Sequence, residues 1–229
     1  METPAHPAPG GIPRALFAFS IFYGGMVCIA GVLGNKQVTL GPVSALGPLL
    51  GLPPLAIEAG IFAFLLLVIT SSAVAELYGR KVANFLVLVG FVPLITSMLL
   101  TLAILRMPAA PEMAPDRLAA FNTMMMATPW IWLGGIISYG ISQMLNVTIF
   151  SWLKGREGNS LLWFRAAVAS VLSQIVDTVL FITIAFGVGA IGWLMAGQML
   201  VKVLLSIVLV PLLITAMVAF GRWLDRNPA

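Results

Sequence analysis

A stripe of polar side chains runs along an otherwise apolar segment, residues 163–186. At helical spacing Ser170, Ser173 and Gln174 share one face with Asp177, which lies in the middle of the segment. If the segment crosses a membrane, a lone carboxylate at that depth costs about 2.5–3.5 kcal/mol on insertion scales. Asp177 therefore needs a partner, and the stripe marks a candidate functional face.

A second polar stripe in the last apolar segment supplies a cation for that aspartate. Gln198, Lys202 and Ser206 follow one another at four-residue spacing and so share a helical face. Lys202 is expected to be the only cation deep in a span, and Asp177 the only deep anion. We therefore predict that the two side chains pair with each other.

A third stripe carries amide and hydroxyl groups, from Tyr139 and Ser142 to Gln143 and Asn146. Such groups can hold helices together at about 0.6 kcal/mol each, or they can line a ligand site. Facing stripes of Asp, Gln, Asn and Lys exceed what packing requires, which favours the ligand site. A carboxylate accepts two parallel N–H bonds from a guanine-like edge, and an amide offers a donor beside an acceptor. A planar heterocycle is the predicted ligand.

The composition indicates that these stripes lie in a membrane and not in water. Of 229 residues, 60% are hydrophobic and 9% charged, whereas an average soluble domain is about 25% charged. The mean hydropathy is +1.06, and apolar runs of about twenty residues match a hydrocarbon core about 30 Å thick. The sequence predicts an all-α integral membrane protein with six transmembrane helices.

The predicted order has a flexible leader (1–13), one six-helix transmembrane domain (14–223) and a short tail (224–229). Residues 41–54 are apolar but contain Pro and Gly, which favours a re-entrant or interfacial connection. Asp116 is expected to cap a short helix before the fourth span. The six spans are predicted at 14–34, 55–77, 83–105, 129–153, 163–186 and 193–220.

The net charge of +4 comes mostly from short connections, so it indicates topology and makes nucleic-acid binding improbable. With the amino terminus in the cytoplasm, one side holds more basic residues than the other. We therefore predict both termini to be cytoplasmic, in a cell inner membrane. The cytoplasmic set is Arg14, Arg80, Lys81, Lys154, Arg156, Arg222 and Arg226, and the opposite set is Lys36, Arg106 and Arg117.

Some groups keep two interpretations. Glu76 near Arg80 and Lys81 is more typical of a solvated ion pair than of a ligand contact. The tryptophans near helix ends are typical of an aromatic belt, with ligand stacking as the alternative; they are Trp130, Trp132, Trp152 and Trp163.

An enzyme is the competing class, and its catalytic groups are restricted. The chain has one cysteine, Cys28, and one histidine, His6, in the leader. A serine–lysine dyad of Ser173 or Ser206 with Lys202 would be needed. That dyad requires Lys202 to be neutral and free of Asp177, so an intramembrane hydrolase is a minor alternative. A structural scaffold would leave the central charges without a role.

Four sequence strings resemble the queuosine precursor transporter family, within the vitamin-uptake-like transporters. They are SSAVAELYGRKVA (71–83), ISQMLNVTIFSWLK (141–154), WFRAAVASVLSQIVDT (163–178) and KVLLSIVLVP (202–211). The likeness follows the same order over nearly the whole chain. Its spaced set includes Glu76, Tyr78, Gly79, Gln143, Arg165, Ser173, Gln174, Asp177 and Lys202.

The resemblance implies six helices related in fold to the substrate-binding subunits of energy-coupling-factor vitamin transporters. It also implies uptake of a 7-deazaguanine, the cyano or aminomethyl precursor used to modify tRNA. Ser72 and Asn146 stand where the family has acidic residues, so a different purine-like or vitamin-like solute is an alternative. The implied substrate-binding residues are Glu76, Gln143, Asn146, Arg165, Gln174, Asp177 and Lys202.

The predicted partners are this small heterocycle and the lipid bilayer, and a homo-oligomer is left open. No cofactor, metal or nucleic acid is predicted.

Overall fold

A computed structural model describes the backbone of residues 11–39, 41–49, 51, 54, 56–126, 129–157, 162–186 and 193–226. It describes their side chains except at 37, 43, 56–58, 129–132, 154–157, 182, 185–186, 193–198 and 206. The elements are α1 (Arg14–Leu33), β1 (Gln37–Thr39), a 3-10 turn (Gly41–Val43), α2 (Leu46–Leu49), β2 (Ala56–Glu58), α3 (Gly60–Tyr78), α4 (Arg80–Leu105), α5 (Pro115–Met125), α6 (Pro129–Glu157), α7 (Leu162–Phe186) and α8 (Trp193–Arg226).

Six helices in the described ranges are long and apolar enough to cross a membrane, namely α1, α3, α4, α6, α7 and α8. The shortest, α3, has 19 residues, so its length is about 28 Å at 1.5 Å per residue. That length matches the hydrocarbon core of a bilayer. The predicted six-helix, multi-pass architecture is confirmed.

Helix α3 forms the centre of the bundle. In its apolar window 72% of the residues are buried inside the protein, against 17% for α1 and for α4. α3 packs against α1, α4, α6 and α8, while α7 lies between α6 and α8. The inward position of α3 brings its small polar residues Ser71 and Ser72 into the core, where both are buried. The functional side chains are therefore found around α3 and α7.

The second span begins later than predicted. It starts at Gly60 and not at residue 55, because residues 56–58 form β2 and pair antiparallel with 37–39. Pairing satisfies backbone groups that an unfinished helix start would leave exposed. Gly60 permits the close approach that follows, since a Cβ there would lie 2.7 Å from the carbonyl oxygen of Ala30.

The connection between the two strands contains the 3-10 turn and α2. Most of its described side chains are exposed, and Ser44 and Gly47 are buried. It is thus the loop of a hairpin that lies between the first two spans.

Other helix boundaries also differ from the prediction by a few residues. α4 begins at Arg80, directly after Gly79, whose φ of +87° is in the region that favours glycine. α6 continues to Glu157 and α8 to Arg226. The short helix α5 is present, but Asp116 does not cap it. The N-cap is Ala114 and Pro115 is the first helical residue, so Asp116 lies in the first turn. There its negative charge interacts favourably with the positive end of the helix dipole.

Several predictions lie outside the described residues. They concern most of the leader (1–10) and the last tail residues (227–229). The side chains of Trp130, Trp132, Gln198 and Ser206 also lie outside.

Candidate functional site

Asp177 is held by contacts from two neighbouring helices. The Lys202 ammonium of α8 donates to one Asp177 oxygen at 3.3 Å, and the Ser142 hydroxyl of α6 donates to the other at 3.3 Å. The side chains of Lys202 and Asp177 are 15% and 7% exposed. The predicted pairing of the two charges is therefore present, and it joins α6, α7 and α8.

This pair borders a cavity of about 300 Å³. The cavity lies between the carboxyl end of α1 and the amino end of α3, and Asp177, Tyr139 and Lys202 border its inner part. Most of the lining is apolar. The polar groups that line it are Asn35, Ser97, Thr101, Ser138, Tyr139, Asp177 and Lys202.

Tyr139 is fixed at the inner end of the cavity by aromatic neighbours. Its hydroxyl hydrogen-bonds to the hydroxyl of Tyr23 on α1. The rings of Phe64 and Phe91 lie edge-on to it, with centroids 5.8 and 5.5 Å away, in the geometry that aromatic pairs prefer. The stripe on α6 identified Tyr139, but nothing in the sequence distinguished these three partners from other apolar positions.

A second buried ion pair was not predicted. Arg165 Nη2 of α7 lies 3.2 Å from Glu76 Oε2 of α3, with side chains 0% and 4% exposed. The guanidinium also lies over the ring of Phe150, 5.3 Å from its centroid. The interpretation of Glu76 as a solvated partner of Arg80 and Lys81 is wrong, because both basic residues are exposed whereas Glu76 is buried.

The second pair does not contradict the prediction that Asp177 and Lys202 are the charges deep in a span, because burial inside the protein and depth in a span are different properties. Glu76 and Arg165 lie near the ends of their own helices, and the neighbouring helices cover them.

Polar side chains join α3 to α6 between the two ion pairs. The Ser71 hydroxyl donates to Gln143 Oε1 at 3.1 Å, and Asn146 Nδ2 donates to Ser72 Oγ at 3.0 Å. All four side chains are buried. We call these residues, together with the buried Ser170 and Gln174 of α7, the polar layer.

Much of the hydrogen-bonding capacity of the polar layer is unused within the described part of the chain. Neither amide atom of Gln174 has a partner there, nor do Gln143 Nε2, Asn146 Oδ1 and Ser170 Oγ. Arg165 Nε and Nη1, next to this layer on α7, also have no hydrogen-bond partner in the described part of the chain. A buried polar atom without a partner costs about 1–3 kcal/mol, so each such atom in a protein calls for an explanation. A polar ligand would supply the missing partners.

The structure therefore divides the seven predicted site residues among three places. Asp177 and Lys202 border the cavity. Gln143, Asn146 and Gln174 lie in the polar layer. Glu76 and Arg165 form the second ion pair.

The groups proposed for a serine–lysine dyad have other contacts. The Ser173 hydroxyl donates to the carbonyl of Ser170 on its own helix at 3.0 Å, and Lys202 donates to Asp177. The Lys202 nitrogen is therefore directed at a carboxylate and not at a serine hydroxyl, as a general base would have to be. The geometry thus does not favour a dyad of Ser173 with Lys202.

Comparison with known families assigns the chain. The family described as "Putative vitamin uptake transporter" matches residues 58–216, more than two-thirds of the chain. The chain belongs to this vitamin uptake transporter family. No curated protein and no solved structure matches it.

Family membership and six spanning helices identify a multi-pass membrane transporter. The matched range of this vitamin uptake transporter includes all seven predicted site residues, from Glu76 to Lys202. It does not include α1 or the β1 strand, which precede residue 58. The wall of the cavity formed by α1 therefore lies outside the part that carries the family match.

Proposed function

We propose that this transporter imports a small planar heterocycle, specifically a 7-deazaguanine precursor of queuosine. The observation that carries the proposal is the Asp177 carboxylate, which borders the cavity while Ser142 and Lys202 hold it in place. The solute enters the cavity, binds at Asp177 and then passes through the polar layer.

The size of the cavity supports a compact solute. Ligand pockets in proteins are about 300–1,000 Å³, so a cavity of about 300 Å³ is at the lower end of that range. A bicyclic heterocycle suits this volume better than a vitamin with a long side chain does.

The chemistry of the cavity supports a neutral solute with several N–H groups. A carboxylate accepts two parallel N–H bonds from the edge of a 7-deazaguanine. Lys202 neutralises the charge of Asp177, so the bound state adds little net charge to the membrane interior. The rings of Phe64 and Tyr139 line the same cavity and offer faces or edges to a planar ligand.

The contact between Asn146 and Ser72 favours the uncharged precursor. These neutral side chains bond to each other at 3.0 Å and offer no carboxylate to an aminomethyl cation. We therefore place 7-cyano-7-deazaguanine before 7-aminomethyl-7-deazaguanine, with another neutral purine-like or vitamin-like solute as the alternative.

The predicted orientation gives the direction of transport. With a cytoplasmic amino terminus, the carboxyl end of α1 and the cavity beside it face the opposite side of the membrane. A solute from outside the cell then reaches Asp177 first, which corresponds to import.

Uptake by cells that depend on external precursor tests this function. We expect Asp177→Asn to reduce uptake of 7-cyano-7-deazaguanine by about 10- to 100-fold, since a hydrogen bond to a charged group contributes about 1.5–3 kcal/mol. Asp116→Asn is the matched control, because it makes the same change at an exposed residue of α5. Normal uptake in the Asp177→Asn variant would show that the solute does not bind at Asp177. A thermal-shift screen against purines, deazapurines and vitamins tests the substrate class.

A further inference from the structure

The cavity ends before the polar layer begins. None of the described residues that line it belongs to the polar layer. Tyr139 lies one helical turn from Gln143 on α6, where Tyr23, Phe64 and Phe91 hold it. The two polar regions are therefore adjacent, because Ser142, which contacts Asp177, directly precedes Gln143 on α6.

Contacts between helices place the members of the polar layer at the same depth. α6 and α7 run antiparallel, because Ser142 contacts Asp177 while Phe150 contacts Arg165. Interpolation between these two contacts puts Gln143 within about two residues of the level of Gln174. The same register puts Asn146 level with Ser170.

Helix α3 has a matching register. Ser71 contacts Gln143 and Ser72 contacts Asn146, so α3 runs parallel to α6. Gln174 is three residues before Asp177, a distance of about 4.5 Å along the helix axis. The polar layer thus begins about one helical turn beyond Asp177, on the side away from the cavity.

The unused atoms of the polar layer form a mixed set of donors and acceptors. Gln143 Nε2 and Gln174 Nε2 are donors, while Asn146 Oδ1 and Gln174 Oε1 are acceptors. Helix-to-helix contacts would be expected to use both amide atoms of a buried glutamine. A solute that carries a donor beside an acceptor, as the amide edge of a guanine-like ring does, complements this set.

We infer that the solute binds at two successive sites, an outer one at the Asp177–Lys202 pair and an inner one in the polar layer. This inference rests on the proposed function and deepens it. The solute leaves Asp177 and moves about one helical turn along α7, where the amides of Gln143 and Gln174 bind it. The inner site selects an uncharged solute, because its members are amides and hydroxyls.

A native reporter distinguishes the two sites. Cys28 is the single cysteine of the chain and lines the cavity. The rate at which a small methanethiosulfonate reagent modifies Cys28, with and without 7-cyano-7-deazaguanine, measures occupancy of the outer site. Cellular uptake of the same compound measures the whole path.

Gln174→Met is the decisive variant, because it removes both unpartnered amide atoms and keeps the length of the side chain. We expect the compound to protect Cys28 as in wild type, within about twofold, while uptake falls at least about tenfold. The melting temperature without ligand should stay the same or rise, since an apolar group replaces unpartnered polar atoms. Asp177→Asn should lose both protection and uptake.

Asn84→Leu is the matched control. Asn84 Oδ1 on α4 is also buried without a partner in the described part of the chain, but it is not a member of the polar layer. This variant should keep both protection and uptake. If Gln174→Met does not fold, Ser170→Ala makes a smaller change in the same layer and should show the same separation of the two measurements.

Two results would overturn the inner site. One is loss of Cys28 protection in Gln174→Met to the extent seen in Asp177→Asn, which would mean a single site. The other is normal uptake by the folded Gln174→Met protein. A wild-type protein that takes up the compound without protecting Cys28 would overturn the two-site path and leave the proposed function intact. Absence of both in wild type would overturn the proposed function itself.

Discussion

The two buried ion pairs, Glu76–Arg165 and Asp177–Lys202, use different positions on α7 and have different surroundings. The Glu76 and Arg165 side chains are 4% and 0% exposed, and Phe150 covers the guanidinium. Asp177 and Lys202 are 7% and 15% exposed and border the cavity. One pair is enclosed by helices, whereas the other is open to a small solute.

This difference in surroundings distinguishes a pair that neighbouring helices enclose from a pair that a ligand can contact. An enclosed pair stabilises the bundle through the geometry of its own contacts. Removal of one partner leaves a buried charge without that compensation, which destabilises the fold. A pair beside a cavity can exchange a contact for one with a ligand. Under the proposed function, the same kind of interaction has a packing role at one level of α7 and a binding role at another.

The largest effect on stability is expected from Arg165→Met. It removes the guanidinium beside the buried Glu76 carboxylate, so the free energy of unfolding should fall by about 3–5 kcal/mol. Thermal or denaturant unfolding of the purified protein in detergent measures this. The double variant Arg165→Met/Glu76→Gln should recover much of the loss, because the buried carboxylate that lost the guanidinium is replaced by a neutral amide. A single variant as stable as the double variant would contradict the enclosed character of this pair.

A smaller loss is expected from Lys202→Met. Asp177 retains the hydrogen bond from Ser142 and has access to the cavity, so the free energy of unfolding should fall by about 1–3 kcal/mol. The same unfolding experiment applies, with Arg165→Met measured alongside. Equal losses in the two variants would remove the distinction between an enclosed pair and an open one.

The smallest effect is a difference between two phenylalanine variants. Arg165 lies 5.3 Å from the ring centroid of Phe150, and Lys202 lies 5.9 Å from that of Phe64. A cation–π contact contributes about 2 kcal/mol when desolvated and about 0.5–1 kcal/mol when exposed. Phe150→Leu should therefore destabilise the protein by about 1 kcal/mol more than Phe64→Leu. A difference of the opposite sign would show that the cavity pair depends more on its aromatic neighbour.

Particular residues show how far the sequence reaches. The Asp177–Lys202 pair could be predicted, because each is a charge inside a long apolar segment and each needs the other. The pairing of Glu76 with Arg165 was not predicted, because each lies near a helix end where solvent is the ordinary partner of a charge. They are 89 positions apart, and no local pattern records that their helices meet.

The start of α3 illustrates the same limit on a smaller scale. Residues 55–59 continue the apolar run of the second span, so composition extends the helix through them. Because β2 pairs with β1, the helix begins only at Gly60. That pairing depends on a segment about twenty residues earlier in the chain.

The sequence by itself determined the membrane environment, the number of spans and the polar stripes, because apolar length and helical spacing are local properties. The tertiary structure decided which polar groups face a cavity and which are enclosed. That outcome depends on the rotation and relative depth of each helix, and packing against neighbouring helices sets both. Tyr23 and Tyr139, 116 positions apart, meet at the wall of the cavity for this reason.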